Sequence, residues 1–276
     1  MITRIITGVI GIAIAAFIIQ TGGMLFNGAV LLLSILGWHE FSRAFAHKSQ
    51  HTAYITGMLA LVLLWGCAVF GASDETMAVA VFTVLVVLAE AVFLHSSFSV
   101  EDAMISIGGI LYIGLSFSYL VLLRAWGDGL SIASPAGSME QGCALIWIAL
   151  IGTWSSDTFA YFTGSLCGRH KLCPEVSPGK TVEGFAGGTI GTILTVTALG
   201  AAFSLPLPEM AFLGLCLACV ATLGDLVESI IKRYTGIKDS GSLIPGHGGV
   251  LDRFDSTMFT MPFMYYFIQI SDLLVR

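Results

Sequence analysis

The sequence predicts an all-α, polytopic integral membrane protein of about nine transmembrane helices, with a cytoplasmic N-terminus and a polar cleft at the cytoplasmic membrane face. Three observations predict it. The 276 residues are 56% hydrophobic and 11% charged, with a mean hydropathy of +0.89, whereas charged residues make up about 25% of an ordinary soluble domain. The apolar residues fall into nine runs, and the charge between them is concentrated. Asp225 to Ser256 holds nine of the chain's thirty Asp, Glu, Lys and Arg residues.

A helix needs roughly 17–25 apolar residues to cross a bilayer. The runs are Ile5–Ile19, Met24–Phe45, Ala53–Phe70, Met77–Leu94, Ala103–Leu123, Cys143–Gly164, Thr181–Ser204, Met210–Ile231 and Thr257–Leu274. The first is short and the second turns polar from Trp38, so the pair is expected to form a tight hairpin that crosses imperfectly. Met1–Arg4 followed by an apolar run also has the form of a signal peptide, with Thr21-Gly22-Gly23 as a small-residue cleavage region. Sidedness favours an uncleaved first helix. With the N-terminus inside, ten of the twelve basic residues are cytoplasmic and only Arg124 and Arg276 lie outside, as the positive-inside rule requires.

No stretch is long enough for a separate soluble domain. The chain divides into residues 1–140, with about five spans, and 141–276, which carries the chemistry-bearing motifs. The net charge of -6 follows the side of the membrane, and no basic patch with interleaved aromatics points to nucleic acid. Six cysteines lie in or beside apolar runs or in a cytosolic loop, so reduced thiols are expected. Cys216-x-x-Cys219 lacks the βαβ context of a redox motif and reads as packing.

Asp225, Glu228, Ser229 and Lys232 recur at i, i+3, i+4 and i+7, which places them on one helix face. Asp225 stands two turns, roughly 10 Å, inside Lys232, where a charge needs a cation or a water-filled cavity. A structural ion-pair network accounts for such a stripe when it stands alone. Here Gly236, Gly241, Gly246, Gly248 and Gly249 follow, a loop whose N–H groups can approach phosphate. Asp252 offers a second carboxylate, and two carboxylates with water and phosphate oxygens suit Mg²⁺. Asp255 is read equally as a cap for the last helix or as a metal ligand. His247 is read as a phosphate donor or proton shuttle against the commoner case of neither.

The run Ser229-x-x-Lys232-Arg233-x4-Lys238-Asp239-x-Gly241-x2-Ile244-Pro245-x-His247-Gly248-Gly249-x2-Asp252-Arg253-x-Asp255 resembles the pattern of phosphatidate cytidylyltransferases, also called CDP-diacylglycerol synthases. The resemblance extends to Ser177-Pro178-x-Lys180-Thr181-x-Glu183-Gly184 and Asp157-x3-Tyr161-x2-Gly164, and so covers the C-terminal half; the N-terminal half is similar in hydropathy alone. It implies transfer of CMP from CTP to phosphatidic acid, giving CDP-diacylglycerol and pyrophosphate, in a catalytic cleft at the inner face of the cell's inner membrane, by a homodimer. On that footing Asp225 and Asp252 are expected to bind Mg²⁺, as one ion or two. Lys232, Arg233, His247 and Arg253 are expected to be catalytic. Ser177, Lys180, Thr181, Glu183, Ser229, Lys238, Gly248 and Gly249 are expected to bind substrate.

Gly179-Lys180-Thr181 is not a P-loop ending, because Pro174 stands where its first glycine belongs. Ser177-Pro178 reads instead as an N-cap with proline at N1, opening an anion site beside Lys180. Gly184, Gly187, Gly188 and Gly191 form a stripe for tight helix packing. Glu183 is read as a helix-dipole partner or a pocket residue. Asp157 is read equally as functional or as satisfied by Tyr161 or a serine. Glu40 and Arg43 are expected to make a local i, i+3 pair. Two other readings stand beside this one: a CTP-dependent polyprenol or phytol kinase, and an ion-coupled transporter with acids at mid-membrane. A CDP-alcohol phosphotransferase lacks its paired D-x2-D-G…D-x3-D pattern here.

Overall fold

A computed structural model describes residues 2–135, 137–241 and 248–271, with the side chains of 2–7 and 73 excepted. The helices follow the apolar runs: α1 (Ile2–Thr21), α2 (Gly23–Ala46), α3 (Tyr54–Phe70), α4 (Ser73–Phe93), α5 (Val100–Arg124), α6 (Gln141–Cys167), α7 (Val182–Ala202), α8 (Leu207–Thr235) and α9 (Leu251–Ser271). Two short antiparallel hairpins join them: β1 (Ser131–Ser134) with β2 (Gly137–Glu140), and β3 (Lys171–Cys173) with β4 (Ser177–Thr181). The expected all-α fold therefore carries two small β additions.

Among the described residues six helices are long and apolar enough to cross a membrane, namely α2, α4, α5, α6, α7 and α8. The described part of α1, Gly8–Thr21, and α3 are shorter apolar helices. This is a multi-pass membrane protein. The break between α1 and α2 is a single residue, Gly22, at φ 63 and ψ -151, a conformation that needs glycine.

The chain forms two compact units, each discontinuous in sequence. The first comprises Met1–Leu122 and Ile231–Phe254, and the second Leu123–Ile230 and Asp255–Arg276. In the first, Trp38, Leu64, Ile110 and Ile113 are wholly buried. Trp38 lies against Gly57, where an added Cβ would sit 2.4 Å from the indole, and its Nε1–H donates to the Tyr54 carbonyl at 3.0 Å. The last turns of α8 and the first turn of α9 belong to this unit.

In the second unit the α6–α7 pair dominates. The glycine stripe packs as expected: a Cβ on Gly184 would lie 2.9 Å from the Ala160 carbonyl oxygen, and one on Gly188 would lie 2.9 Å from that of Ser156. Lipid is as apolar as the helix surface, so this close backbone approach supplies the association.

The start of α7 corrects one expectation. Ser177 and Pro178 do not open a helix; they lie in β4, with Ser177 opposite Cys173 and Thr181 opposite Lys171. The backbone pairs with β3 until Thr181, whose Oγ1 accepts from the Gly184 N–H at 3.0 Å and caps α7.

Replacing Gly184 or Gly188 by leucine should lower the stability of the detergent-solubilised protein by about 1–3 kcal/mol through overpacking. Gly28→Ala, on an open helical position, should change it by less than about 1 kcal/mol. Thermal unfolding checks this, and leucine variants with wild-type midpoints would contradict the close crossing.

Candidate active site

In the second unit, the wall of a cleft of about 420 Å³ brings together Asp157 from α6, Ser177, Lys180 and Thr181 from β4, and Asp225 from α8. The Lys180 Nζ donates to Asp225 Oδ2 at 2.6 Å, with the two side chains 23% and 29% exposed. Ser229 Oγ–H donates to Asp225 Oδ1 at 3.3 Å. Asp157 is close enough to feel both charges. Among the described residues it makes no hydrogen bond, with Tyr161 or with a serine, although Tyr161, 72% exposed, lines the same cleft. Of the two readings open for Asp157, the geometry favours the one that faces the cleft.

The neighbouring loop depends on Glu183. Its carboxylate accepts from the Arg169 N–H at 3.0 Å and the His170 N–H at 3.2 Å, and lies 2.6 Å from His170 Nδ1. Neither reading of Glu183 described this. It ties the turn after α6 to the start of α7, and His170 is its missed partner. Lys171 Nζ donates to the Pro178 carbonyl at 2.7 Å, which closes the hairpin. Thus Lys180 is carried on a short strand fastened at both ends.

In the first unit a separate group of bonds forms around Asp252. Lys232 Nζ donates to its Oδ1 at 2.9 Å. Its Oδ2 accepts from the Ser240 N–H at 2.8 Å and the Gly249 N–H at 2.9 Å. Burial acts to raise the Asp252 pKa, but the Gly249 N–H and the Lys232 ammonium outweigh it and hold it below the ordinary value. Gly249 therefore gives its N–H to Asp252. Gly248, at φ 86, turns the chain so that this bond can form.

The first turn of α9 is also taken. Glu40 of α2, 6% exposed, accepts from the Val250 N–H at 2.9 Å and the Leu251 N–H at 3.0 Å. Among the described residues Glu40 has no ion pair with Arg43, so the expected local pair is replaced by this long-range one. Asp255 does not open α9, which begins four residues earlier at Leu251. The signal was available: Glu40 shares an apolar helix with Trp38, Phe41 and Phe45, and an acid among aromatics calls for a buried partner.

Arg233, Lys238 and Arg253 are exposed. Glu228 of the predicted stripe is buried. His247 lies outside the described residues. Among the described residues no three His, Cys, Asp or Glu side chains converge as a metal cage. Among the described residues the six cysteines form no disulfide.

A model of the cytidylyltransferase family matches residues 2–271. The chain belongs to the cytidylyltransferase family. The match corrects the expectation that only hydropathy links the N-terminal half to it. The chain is 34% identical over 275 residues to the phosphatidate cytidylyltransferase of Bacillus subtilis (strain 168), covering 96% of each. To the phosphatidate cytidylyltransferase of Synechocystis sp. it is 37% identical over 286 residues, covering 96% of this chain and 95% of that one. That of Staphylococcus saprophyticus is 32% identical over 268 residues, with 96% and 97% covered.

Asp252 also sets a pH dependence. Its folded-state pKa is depressed, so its stabilisation is complete above the ordinary value of 3.8 and is lost as pH falls through the lower folded value. Asp252→Asn should cost about 1–3 kcal/mol at neutral pH, with the gap from wild type closing below pH 3.8. Unfolding midpoints across pH measure it, and a gap that widened on acidification would contradict the assignment.

Proposed function

We propose that this chain transfers CMP from CTP to phosphatidic acid, giving CDP-diacylglycerol and pyrophosphate for phospholipid synthesis. The observation that carries the reading is the Lys180–Asp225 pair, with Asp157 beside it, on the wall of one cleft in a multi-pass member of the cytidylyltransferase family. A lysine held by a carboxylate that a substrate phosphate can replace is a ready phosphate receptor.

In the proposed reaction an oxygen of the lipid phosphomonoester attacks the α-phosphorus of CTP. The new O–P bond forms as the bond from the α-phosphorus to the β-phosphate oxygen breaks, and pyrophosphate leaves with that electron pair. A phosphomonoester has its second pKa near 6, so the nucleophile is already an anion at neutral pH and no side chain need remove a proton. Positioning and charge neutralisation then carry the rate. Lys180 is proposed to exchange Asp225 for a substrate phosphate, with Ser177, Thr181 and Ser229 shaping that wall and Glu183 fixing the hairpin. Lys232, Arg233, Lys238 and Arg253 are proposed to neutralise the polyphosphate, with His247, Gly248 and Gly249 as further contacts.

Asp225 and Asp252 are the carboxylates proposed to take Mg²⁺, as one ion or two. The donor chemistry fits: both are hard oxygen donors, and each already holds an ammonium, at 2.6 and 2.9 Å. With two protein carboxylates, water and substrate phosphates complete the usual shell. When bound, the ion neutralises the triphosphate. We further propose nine membrane crossings with the N-terminus in the cytoplasm, a catalytic cleft at the cytoplasmic face of the inner membrane, and a homodimer. These rest on the distribution of basic residues and on the family.

Purified protein given CTP labelled in the α-phosphate and phosphatidic acid should place the label in lipid and release pyrophosphate. Label appearing as CDP beside a phosphorylated alcohol would overturn the reading in favour of a kinase. A chelator should abolish the reaction and Mg²⁺ restore it. Asp225→Asn should lose at least about 100-fold in kcat, and full activity in that variant would remove Asp225 from the site.

A further inference from the structure

Glu40 stands in the N-terminal half, far in sequence from every motif that carries chemistry, yet it holds the start of α9. Its two carboxylate oxygens take separate backbone donors, Val250 N–H and Leu251 N–H. Next to them, Gly249 N–H and Ser240 N–H go to Asp252. Four consecutive or adjoining amides at the two ends of the glycine loop are thus fixed by two carboxylates, and one of these also grips Lys232. Two of the glycines, Gly241 and Gly249, leave room for this grip. A Cβ on Gly241 or on Gly249 would each come within 2.5 Å of a Glu40 oxygen, too close for any side chain.

A helix N-terminus following a Gly-His-Gly-Gly sequence would ordinarily be read as a phosphate site. Here a protein carboxylate already occupies it. We infer that Glu40 is a positioning residue for the transfer reaction: it clamps the loop ends so that Asp252, and through it the Lys232 ammonium, are preset before substrate arrives. Residues that orient active groups from behind alter activity by about 10- to 100-fold when removed, and Glu40 acts in that way without touching substrate. A carboxylate is needed because both donors are amides. Glutamine offers one oxygen and turns an N–H donor toward a second N–H.

The inference rests on the proposed cytidylyl transfer, and its test has one arm independent of activity. Hydrogen exchange of full-length protein in detergent should show faster exchange at residues 248–254 in Glu40→Gln than in wild type, with α6 and α7 unchanged. In the same preparations, well below the unfolding midpoint, kcat/KM should fall about 10-fold or more. Arg43→Ala, which removes the neighbour at i+3, should keep it within about twofold. Unchanged exchange at 248–254 in Glu40→Gln overturns the clamp whatever the reaction. Faster exchange with wild-type kcat/KM overturns the positioning role and leaves a stabilising contact alone. An equal loss in Arg43→Ala overturns it in favour of a local pair. A wild-type protein that makes no CDP-lipid fails the functional reading, while the exchange result still decides the clamp.

Discussion

A charge placed among apolar helices must meet a partner, because leaving it unpaired costs several kcal/mol. The polar architecture of this protein follows from that constraint. Asp225 meets Lys180, Asp252 meets Lys232 and two amides, and Glu40 meets two amides. The partners differ in consequence. Amides cannot leave, so Glu40 and Asp252 fix backbone. Lys180 and Lys232 sit on long side chains and can change partners, and we propose that they are the groups that meet substrate anions.

Backbone geometry places that pair. The small-residue face of α7 lets it approach α6 closely, and the hairpin between them is tied by Glu183, His170 and Lys171. Lys180 is therefore delivered by a strand whose ends are anchored, and Asp157 comes from the helix that the glycines allow near. In the other unit Glu40 ties the chain at Val250 and Leu251 to α2. Glycine plays two parts in the molecule: it gives helices a close crossing, and it gives a carboxylate room to reach main chain.

Hydropathy alone located the helices, to within about four residues except at the start of α9, which opens six residues before the expected Thr257, since desolvation of long apolar runs is decided locally. The motif residues Lys180, Asp225, Lys232 and Asp252 were legible too, because charge in an apolar chain is rare. Their pairing was not legible. The sequence suggested that Asp225 and Lys232 act as neighbours on one helix face, whereas each is paired with a residue from another element. Ser177-Pro178 has the local chemistry of a helix start, and strand pairing with Lys171–Cys173 overrode it. Glu40 looked local because Arg43 lies one turn away; its true partners are amides more than two hundred residues downstream, which no spacing rule reaches. The hairpins β1–β2 and β3–β4 are too short to leave a period-2 signature.

The central claim is that Lys180 and Asp225 work as one unit in the transfer of a cytidylyl group. A double-mutant cycle on kcat/KM, with Lys180→Met, Asp225→Asn and both together, measures this directly. Acting as a unit, the double variant should be no worse than the poorer single one. Losses that multiply would show two independent residues and contradict the claim.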